Sequence, residues 1–348
     1  MKKLGFLAAG LFSLFAQAAD ASEPLFVPVL TVDFPDPFIL QNGNEFLAYA
    51  TNATGDRANV QMARSTNLVD WVQISDGSKL HDAMPTMPDW ARSGFTWAPE
   101  VLKTDAGFVL HFTARDKRSD LQCLGAAFSA NPLGPFVSTA KEPLVCQTDL
   151  GGTIDSHAFR DDDGQLYLYY KNDGNNPQFG KPTDIYVQRL TADGLNVTGE
   201  AVRLLRNDTP WEAHVIEAPT MVRKDGSYTL FFSANHFGWE PNQRLSPYAV
   251  GYATCEGPMG PCTDAPNNPI LNSFHDKRAG CLSGPGHQSV FDVGDRSFVS
   301  FHAWAATSGC RKFDNKRYMY IAPLLWGDGK PQLGVSLRSP PVQGKRAK

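Results

Sequence analysis

Residues 216–232 read Ile216-Glu217-Ala218-Pro219-Thr220-Met221-Val222-Arg223-Lys224-Asp225-Gly226-Ser227-Tyr228-Thr229-Leu230-Phe231-Phe232. An apolar run comes first, Asp225-Gly226 follows it, and an aromatic-rich run comes next. Asp-Gly between two such runs is typical of the tight turn of a β-hairpin. The segment therefore predicts two antiparallel strands, with the acidic residue Glu217 just before the first of them.

The same arrangement occurs five times, with a unit of about sixty residues. The five strand pairs begin near Phe38, Val101, Ala158, Met221 and Val290, and a candidate third strand follows each pair. Five units of four antiparallel strands predict an all-β, five-bladed β-propeller, because radial repetition leaves few exposed sheet edges. The alternatives are a pair of β-sandwiches and a β-helix, although this unit is too long for one β-helix coil.

Two further acidic residues stand before the first strand of their own units. Asp36 lies in Asp33-Phe34-Pro35-Asp36-Pro37-Phe38, and Asp155 lies in Gly152-Thr153-Ile154-Asp155-Ser156-His157. Equivalent points of successive blades converge at the propeller axis, so we expect Asp36, Asp155 and Glu217 to meet there. Converging carboxyls are the equipment of a glycosidase. Taken singly, the three could instead be an Asp-Pro turn, a strand-start cap and a surface ion pair.

Residues 1–18 have the pattern of a secretory signal peptide. Lys2 and Lys3 form the charged start, residues 4–15 an apolar stretch, and Ala16-Gln17-Ala18 a small-residue cleavage site. That stretch is too short to span a bilayer comfortably, and no other candidate span exists. We therefore expect residues 19–348 to form one propeller domain, secreted or periplasmic and not attached to a membrane.

The charge balance argues against one class of partner. The chain has 32 basic and 36 acidic residues, which gives a net charge of -4, and no basic patch stands out. Nucleic acid is therefore not an expected partner. A neutral polymer such as a plant polysaccharide is compatible with this composition, and we expect the protein to be a monomer.

The chain has six cysteines, which in an exported protein favour disulfides. Six cysteines allow about 15 connectivities, so the pairing is predicted from locality alone. No CxxC spacing indicates a zinc site. The expected pairs are Cys255 with Cys262, Cys123 with Cys146, and Cys281 with Cys310.

Several short motifs, each weak alone, occur in one order at the starts of successive units. Together they resemble glycoside hydrolase family 43 over essentially the whole chain after residue 18. That resemblance implies a five-bladed propeller with an inverting active site at the mouth of its central channel. The matching elements are Pro35-Asp36-Pro37, Thr96-Trp97-Ala98-Pro99-Glu100, Ile154-Asp155, Glu217-Ala218-Pro219 and Gly284-Pro285-Gly286-His287.

The resemblance implies roles for the three acids. Asp36 would be the general base, Glu217 the general acid, and Asp155 the residue that orients the acid. Inversion needs one protonated and one ionised carboxyl about 6.5–9.5 Å apart, with room for a water molecule between them. We expect an ionised Asp155 to raise the pKa of Glu217, which already has the higher reference value as a glutamate.

Other residues are candidates for substrate or metal binding. Trp97 offers a flat apolar face to a sugar ring, or else packs between units, and Glu100 would support Trp97 or nearby backbone. Arg317 would bind sugar hydroxyls or keep Asp36 ionised, unless it is a solvated surface residue. The further candidates for substrate contact are His157, His236, Phe237, Trp239 and Trp304.

His287 opens the fifth unit. The resemblance makes it a central-channel histidine beside a hydrated calcium or sodium ion, for which water would supply most ligands. Calcium prefers oxygen ligands, so a satisfied structural histidine is the alternative. No organic cofactor is expected.

The sequence thus predicts a secreted inverting glycosidase acting on an oligo- or polysaccharide. Overall resemblance, including no added β-sandwich after the fifth unit, favours an α-L-arabinofuranosidase that acts on the ends of α-1,5-arabinan. Endo-1,5-α-L-arabinanase and β-xylosidase are the alternatives within the family. A non-catalytic carbohydrate-binding propeller is the alternative from another class, although such a protein could lose the acids that this chain keeps.

Overall fold

The computed structural model describes residues 25–53, 58–277, 279–334 and 337. The protein is a five-bladed β-propeller, in which five antiparallel sheets follow one another in chain order, and its described part contains no α-helix. The predicted signal peptide lies outside the described residues. None of the described segments forms a helix long and apolar enough to cross a membrane.

The first two blades occupy residues 38–129. Blade 1 comprises β1 (Phe38–Asn42), β2 (Glu45–Ala50), β3 (Gln61–Ser65) and β4 (Val72–Gln73). A separate hairpin then follows, consisting of β5 (Ser75–Asp76) and β6 (Lys79–Leu80). Blade 2 comprises β7 (Ala91–Lys103), β8 (Phe108–Asp116) and β9 (Gln122–Ser129).

The remaining blades have four strands each. Blade 3 follows a short 3₁₀ turn (Thr148–Leu150) and comprises β10 (Thr153–Arg160), β11 (Leu166–Asn172), β12 (Asp184–Leu190) and β13 (Val197–Arg206). Blade 4 comprises β14 (Ile216–Lys224), β15 (Ser227–Ala234), β16 (Ala249–Cys255) and β17 (Cys262–Asp264). After the hairpin β18 (Phe274–Asp276) and β19 (Gly280–Leu282), blade 5 comprises β20 (Gly286–Val293), β21 (Arg296–Ala306), β22 (Lys312–Gly327) and β23 (Lys330–Leu333).

Blade 2 departs from the expected four strands. Its described sheet has only three strands, and residues 137–145 touch the outer strand through two isolated bridges, Leu124 with Val145 and Phe128 with Val137. Pro135 and Pro143 flank or interrupt this segment. Because proline has no N–H to donate to a ladder, a regular fourth strand does not form.

The turn chemistry follows the predicted repeat. Asp225 and Gly226 join β14 to β15 with φ of 49° and 80°. Positive φ at both central residues is the geometry of a type I′ turn, which matches the right-handed twist of the strands. The hairpin that the sequence predicted at residues 216–232 therefore has the turn its Asp-Gly pair favours.

Two tyrosines fasten neighbouring blades together. The Tyr49 hydroxyl of blade 1 donates to the Pro132 carbonyl at 2.6 Å, and the Tyr169 hydroxyl of blade 3 donates to the Pro258 carbonyl at 2.5 Å. Both rings are buried, so each hydroxyl needs such a partner. The two acceptors lie in the similar Gly-Pro turns of blades 2 and 4, so alternate blade junctions repeat the same contact.

The segment before blade 1 closes the ring by binding blade 5. Leu30 forms a bridge with Met319 on β22, and the Phe34 N–H donates to the Arg317 carbonyl at 2.9 Å. The Ser300 hydroxyl of β21 donates to the Pro37 carbonyl at 2.8 Å. These contacts position Asp36 against the fifth blade.

A β-bulge recurs near the start of the blades. The residues with positive φ there are Asp36 (58°), Ala98 (44°), Asp155 (58°), Ala218 (52°) and His287 (49°). In blades 2 to 5 the register of the first strand pair shifts at this point. A bulge re-aims side chains toward the end of a blade, and the strain of positive φ at such residues is typical of functional sites.

The bulge corrects one part of the sequence interpretation. Asp36 and Asp155 are equivalent residues of positive φ, but the residue of blade 4 equivalent to them is Ala218, so Glu217 stands one place earlier. Glu100 stands two places after Ala98. The bulge lets Glu217 reach the site from a neighbouring position, since an extra residue turns two successive side chains.

All three predicted disulfides form in the structure. Cys123 is bonded to Cys146, Cys255 to Cys262, and Cys281 to Cys310. No cysteine in the described part is free. The locality argument therefore selected the right pairing among the possible connectivities.

Candidate active site

A cavity of about 450 Å³ is lined by residues from the starts of all five blades. Each blade contributes a side chain at or next to its residue of positive φ, and loop residues complete the wall. Seven of the eleven predicted site residues line this cavity, namely Asp36, Trp97, Asp155, Glu217, Phe237, His287 and Arg317.

The carboxylate of Asp36 is almost buried and surrounded by donors. The Thr51 hydroxyl donates to Oδ2, while Nδ1 of His287 and Nη1 of Arg317 lie 3.3 Å and 3.4 Å from Oδ1. Burial alone would raise the pKa of Asp36, but the positive charges of His287 and Arg317 hold it well below its usual range. Asp36 is therefore ionised throughout the neutral range, as a general base must be.

Two buried donors contact the carboxyl group of Glu217. The Tyr248 hydroxyl donates to Oε1 at 2.6 Å, and the Lys171 ammonium lies 3.3 Å from Oε2. Lys171 is completely buried and also donates to Asn175 Oδ1 at 2.6 Å. Burial and the adjacent Glu217 raise the pKa of Tyr248 well above its usual range, so its hydroxyl remains a donor. The orientation of the Glu217 carboxyl is thus fixed.

Asp155 is the carboxyl in this part of the site whose pKa is raised. Its Oδ2 accepts the Ala218 N–H at 3.1 Å, next to Glu217 in the chain. Burial, reinforced by the Glu217 and Asp36 carboxylates, raises the pKa of Asp155 to about 7 against the opposing charges of His287 and Lys171. This raised pKa differs from the expected full ionisation of Asp155, because burial outweighs the Ala218 N–H and the charges of His287 and Lys171.

At four of the five blade junctions, a side chain of one blade accepts the N–H of the positive-φ residue at the start of the next. The acceptors stand at one equivalent position, near the end of the second strand. The pairs are Thr51 with Ala98 (2.9 Å), Thr113 with Asp155 (3.2 Å), Ser233 with His287 (2.8 Å) and His302 with Asp36 (3.1 Å). In blade 3 this position is Lys171, opposite Ile154 in the register. An ammonium cannot accept a hydrogen bond. The Ala218 N–H therefore donates to Asp155, and the Lys171 ammonium donates to Glu217.

The protonation state of His302 follows from the same contact. Its Nδ1 accepts the backbone N–H of Asp36, so the ring proton is on Nε2. Burial lowers the pKa of His302 to about 4, which keeps the ring neutral. Its contact of 3.2 Å with Asp36 Oδ1 is therefore no ion pair. His287 is different, because the Asp36 and Asp155 carboxylates raise its pKa despite its burial.

Comparison with known families agrees with this geometry. The model of the family "Glycosyl hydrolases family 43" matches residues 26–331 of the chain. The chain belongs to glycosyl hydrolase family 43. Its fold is similar to a thermostable family-43 glycoside hydrolase, with a TM-score of 0.75, 29% identity, and coverage of 90% of this chain and 97% of the other.

Family 43 relatives with different specificities are similar to this chain. A β-D-galactofuranosidase of Aspergillus niger is 30% identical over 226 residues, which cover 61% of this chain and 58% of the relative. An arabinoxylan arabinofuranohydrolase of Bacillus subtilis is 26% identical, over 74% of this chain and 50% of the relative. The chain spans only about half the length of these curated relatives. An endo-1,4-β-xylanase structure from Bacteroides thetaiotaomicron has a TM-score of 0.70, 26% identity, and coverage of 91% and 98%.

His157 does not line the cavity of this family 43 protein, contrary to our prediction. It is buried, with Nδ1 2.8 Å from Glu100 Oε2 and Nε2 3.4 Å from the Met221 carbonyl. Glu100 and His157 stand two residues after the bulge residues of blades 2 and 3, which explains why they meet. Glu100 therefore supports His157, whereas we expected it to support Trp97. His236, Trp239 and Trp304 line a neighbouring cavity.

The sequence analysis missed several residues of the site. Thr51, Tyr248 and His302 line the cavity, and Lys171 lies buried beneath it. A signal for some of them was present, because Lys171 and His302 directly follow the aromatic end of a second strand, as Thr113 and Ser233 do. A lysine in such an apolar strand needs a buried partner, and a carboxylate is the usual one. Tyr248 stands on a loop and gave no comparable signal.

The described residues do not fit a metal bound directly to protein. Within them, no group of three or more His, Cys, Asp or Glu side chains could hold a metal ion. The raised pKa of His287 favours the imidazolium form, which donates and does not ligate. A calcium or sodium ion held mostly through water near His287 stays a prediction, and no step below uses one.

Proposed function

We propose that this protein is a secreted, inverting glycosidase that removes α-L-arabinofuranosyl residues from plant cell-wall polysaccharide, acting at arabinan ends. The observation that carries the proposal is the contrast within one cavity. Asp36 is kept ionised by His287 and Arg317, whereas Glu217, the proposed proton donor, lies in the same cavity beside Asp155, whose pKa burial raises to about 7. Two carboxyls in different states are what acid–base cleavage of a glycoside requires.

In the proposed reaction, Asp36 accepts a proton from a water molecule that attacks the anomeric carbon. Glu217 donates its proton to the glycosidic oxygen as the bond between that oxygen and the anomeric carbon breaks. The new carbon–oxygen bond forms on the face opposite the leaving group, so the configuration inverts. Asp155 would orient Glu217, and Tyr248 and Lys171 would stabilise the carboxylate that remains after transfer.

The substrate contacts are assigned to side chains around this pair. Trp97 is half-buried in the cavity wall, and Phe237 is 43% exposed. Either ring could pack against the apolar face of a sugar. Arg317 stands between Phe237 and Asp36, with its guanidinium carbon 5.4 Å from the Phe237 ring centre. It could donate to sugar hydroxyls while keeping the base ionised.

The preference for a furanoside draws support from the relatives. Two of the curated family members are named for galactofuranose or arabinofuranose chemistry. A further relative in Bacillus subtilis is an extracellular endo-α-(1→5)-L-arabinanase, 22% identical over 81% of this chain and 66% of the relative. Secretion would agree with that relative's location and with three disulfides, which persist in oxidising compartments.

The test is a substrate panel with product sizes resolved. It compares linear α-1,5-arabinan, arabinoxylan, xylan and the nitrophenyl glycosides of arabinofuranose, galactofuranose and xylose. We expect wild type to release single arabinose units from arabinan and arabinoxylan. Long arabino-oligosaccharides would instead indicate the endo-acting arabinanase, and xylose release a β-xylosidase.

Substitutions of Asp36 and Glu217 distinguish a glycosidase from a propeller that only binds carbohydrate. Asp36→Asn and Glu217→Gln are each expected to lower kcat by at least about 10²–10⁴-fold without unfolding the protein. Asp89→Asn and Glu142→Gln, at exposed carboxyls with surface partners, are the matched controls and should retain full activity. Wild type that binds arabinan without turnover would favour the carbohydrate-binding propeller.

A further inference from the structure

A second cavity adjoins the candidate active site. It has a volume of about 810 Å³, and Phe237 lines both cavities. Its wall is aromatic: Trp239 and Trp304 are nearly buried, and Trp304 Nε1 donates to the Phe237 carbonyl at 2.8 Å. That bond ties the wall of the second cavity to the loop that borders the first. A polymer bound at the active site could therefore extend into the second cavity.

The rim of this cavity carries an excess of positive charge. Arg244, Arg311 and Lys312 line it, and Glu240 is the only acidic residue among its described lining. The carboxyl of Glu240 contacts His236, with His236 Nε2 3.4 Å from Glu240 Oε1. A chain with a net charge of -4 thus places three cations around one aromatic pocket.

These cations lack carboxylate partners of their own. The Lys312 ammonium lies 4.0 Å from the Trp304 ring centre and 3.4 Å from the Trp239 carbonyl. The guanidinium groups of Arg244 and Arg311 are exposed, and neither makes an ion pair with any described residue. Their donors are free to bind a ligand.

We propose that this cavity is a subsite for a uronic-acid residue of the polysaccharide. A guanidinium binds a carboxylate through two parallel hydrogen bonds, and Arg244 and Arg311 can both provide them. The exposed ring of Phe237, which lines both cavities, offers an apolar surface to the pyranose ring of the uronic acid. The proposal rests on the proposed glycosidase function and narrows its substrate class from a neutral to an acidic, arabinose-bearing polysaccharide.

Direct binding tests the subsite without relying on catalysis. Isothermal titration calorimetry would compare a galacturonate trisaccharide and a glucuronate-substituted xylotriose, each with its carboxyl-reduced neutral counterpart. We expect wild type to bind at least one acid about tenfold more tightly than its neutral counterpart, with the preference fading as salt rises. The two arms distinguish galacturonate from glucuronate.

Variants locate the binding to this cavity. Arg244→Gln combined with Arg311→Gln should abolish the preference for the acid. Arg296→Gln, at the first residue of β21 and outside this cavity, removes one positive charge and should leave the preference unchanged. Equal affinity of wild type for acid and neutral sugars would overturn the proposal, as would an unchanged preference in the double variant.

A kinetic readout separates this proposal from the proposed function. The double variant should keep the wild-type kcat/KM on nitrophenyl arabinofuranoside and lose about tenfold in kcat/KM on an acidic arabinose-bearing oligosaccharide. If wild type cleaves the nitrophenyl substrate but prefers no acid, only the subsite is refuted. If wild type cleaves neither substrate yet binds the acid through the two arginines, the glycosidase fails and the acid-binding site stands.

Discussion

Lys171 provides the sharpest test of the electrostatic arrangement of the site. Its ammonium is completely buried, 3.3 Å from Glu217 Oε2 and 3.9 Å from Asp173 Oδ1. Lys171→Met keeps most of the length of the side chain and removes its charge. At an effective dielectric constant of about 20, the Lys171 ammonium and the ionised form of Glu217, 3.3 Å apart, attract by about 5 kcal/mol. Removing one partner of a buried pair costs about 3–5 kcal/mol, so we expect a stability loss in that range at pH 8.

The loss should depend on pH, and its sign follows from the raised pKa of Asp155. A carboxyl with a raised folded-state pKa contributes its stability fully at low pH and loses it as the pH rises through that value. Lys171 lowers the pKa of both Asp155 and Asp173, so removing it raises both further. The variant should therefore fall further behind wild type as the pH rises from 5 to 8.

Urea unfolding of wild type and Lys171→Met at pH 5 and pH 8 measures both quantities. Lys141→Met is the matched control, because that lysine is exposed and pairs only with the surface residue Asp89. It should match wild type at both pH values. A Lys171→Met variant as stable as wild type at pH 8, or one whose deficit shrinks as the pH rises, would refute the reasoning.

Three further outcomes are expected. Tyr248→Phe removes a hydrogen bond of 2.6 Å to the candidate acid Glu217. Because a hydrogen bond to a charged group contributes about 1.5–3 kcal/mol, kcat should fall about tenfold with little change in KM. Unchanged steady-state kinetics would contradict this. Thermal or urea unfolding should show that replacing Cys281 and Cys310 by Ala costs more than replacing Cys255 and Cys262, about 3.5 against 2.5 kcal/mol, because the bonds close sequence separations of 29 and 7 residues. The reverse order would count against the loop-entropy argument. Chelation should reduce activity only modestly, because no described cluster of acidic, histidine or cysteine ligands could hold a metal directly; complete, metal-reversible loss would show that an ion is essential.

The fold could be predicted from the sequence because its signals are local and repeated. Asp225-Gly226 has the positive φ angles that a type I′ turn requires, and four other units carry a comparable hairpin. The missing fourth strand of blade 2 was harder to foresee, since no single residue excludes it. Proline at several points of residues 132–143 together removes the donors that a regular ladder needs.

The candidate site could be predicted only in part. A repeat brings equivalent backbone positions together, so it indicated that Asp36 and Asp155 would meet. It could not reveal the bulge that lets Glu217 join them from the preceding position, because a bulge depends on strand pairing. Nor could it reveal that burial would raise the pKa of Asp155. His157 was misplaced because its buried partner, Glu100, lies on another blade.

The central claim is that Asp36 activates water on one side of the sugar while Glu217 protonates the leaving oxygen on the other. Proton NMR of the first sugar released from an α-L-arabinofuranoside, recorded before mutarotation, tests it most directly. The account predicts that β-L-arabinofuranose appears first and then equilibrates. If α-L-arabinofuranose appears first, the configuration is retained and Asp36 is not the general base.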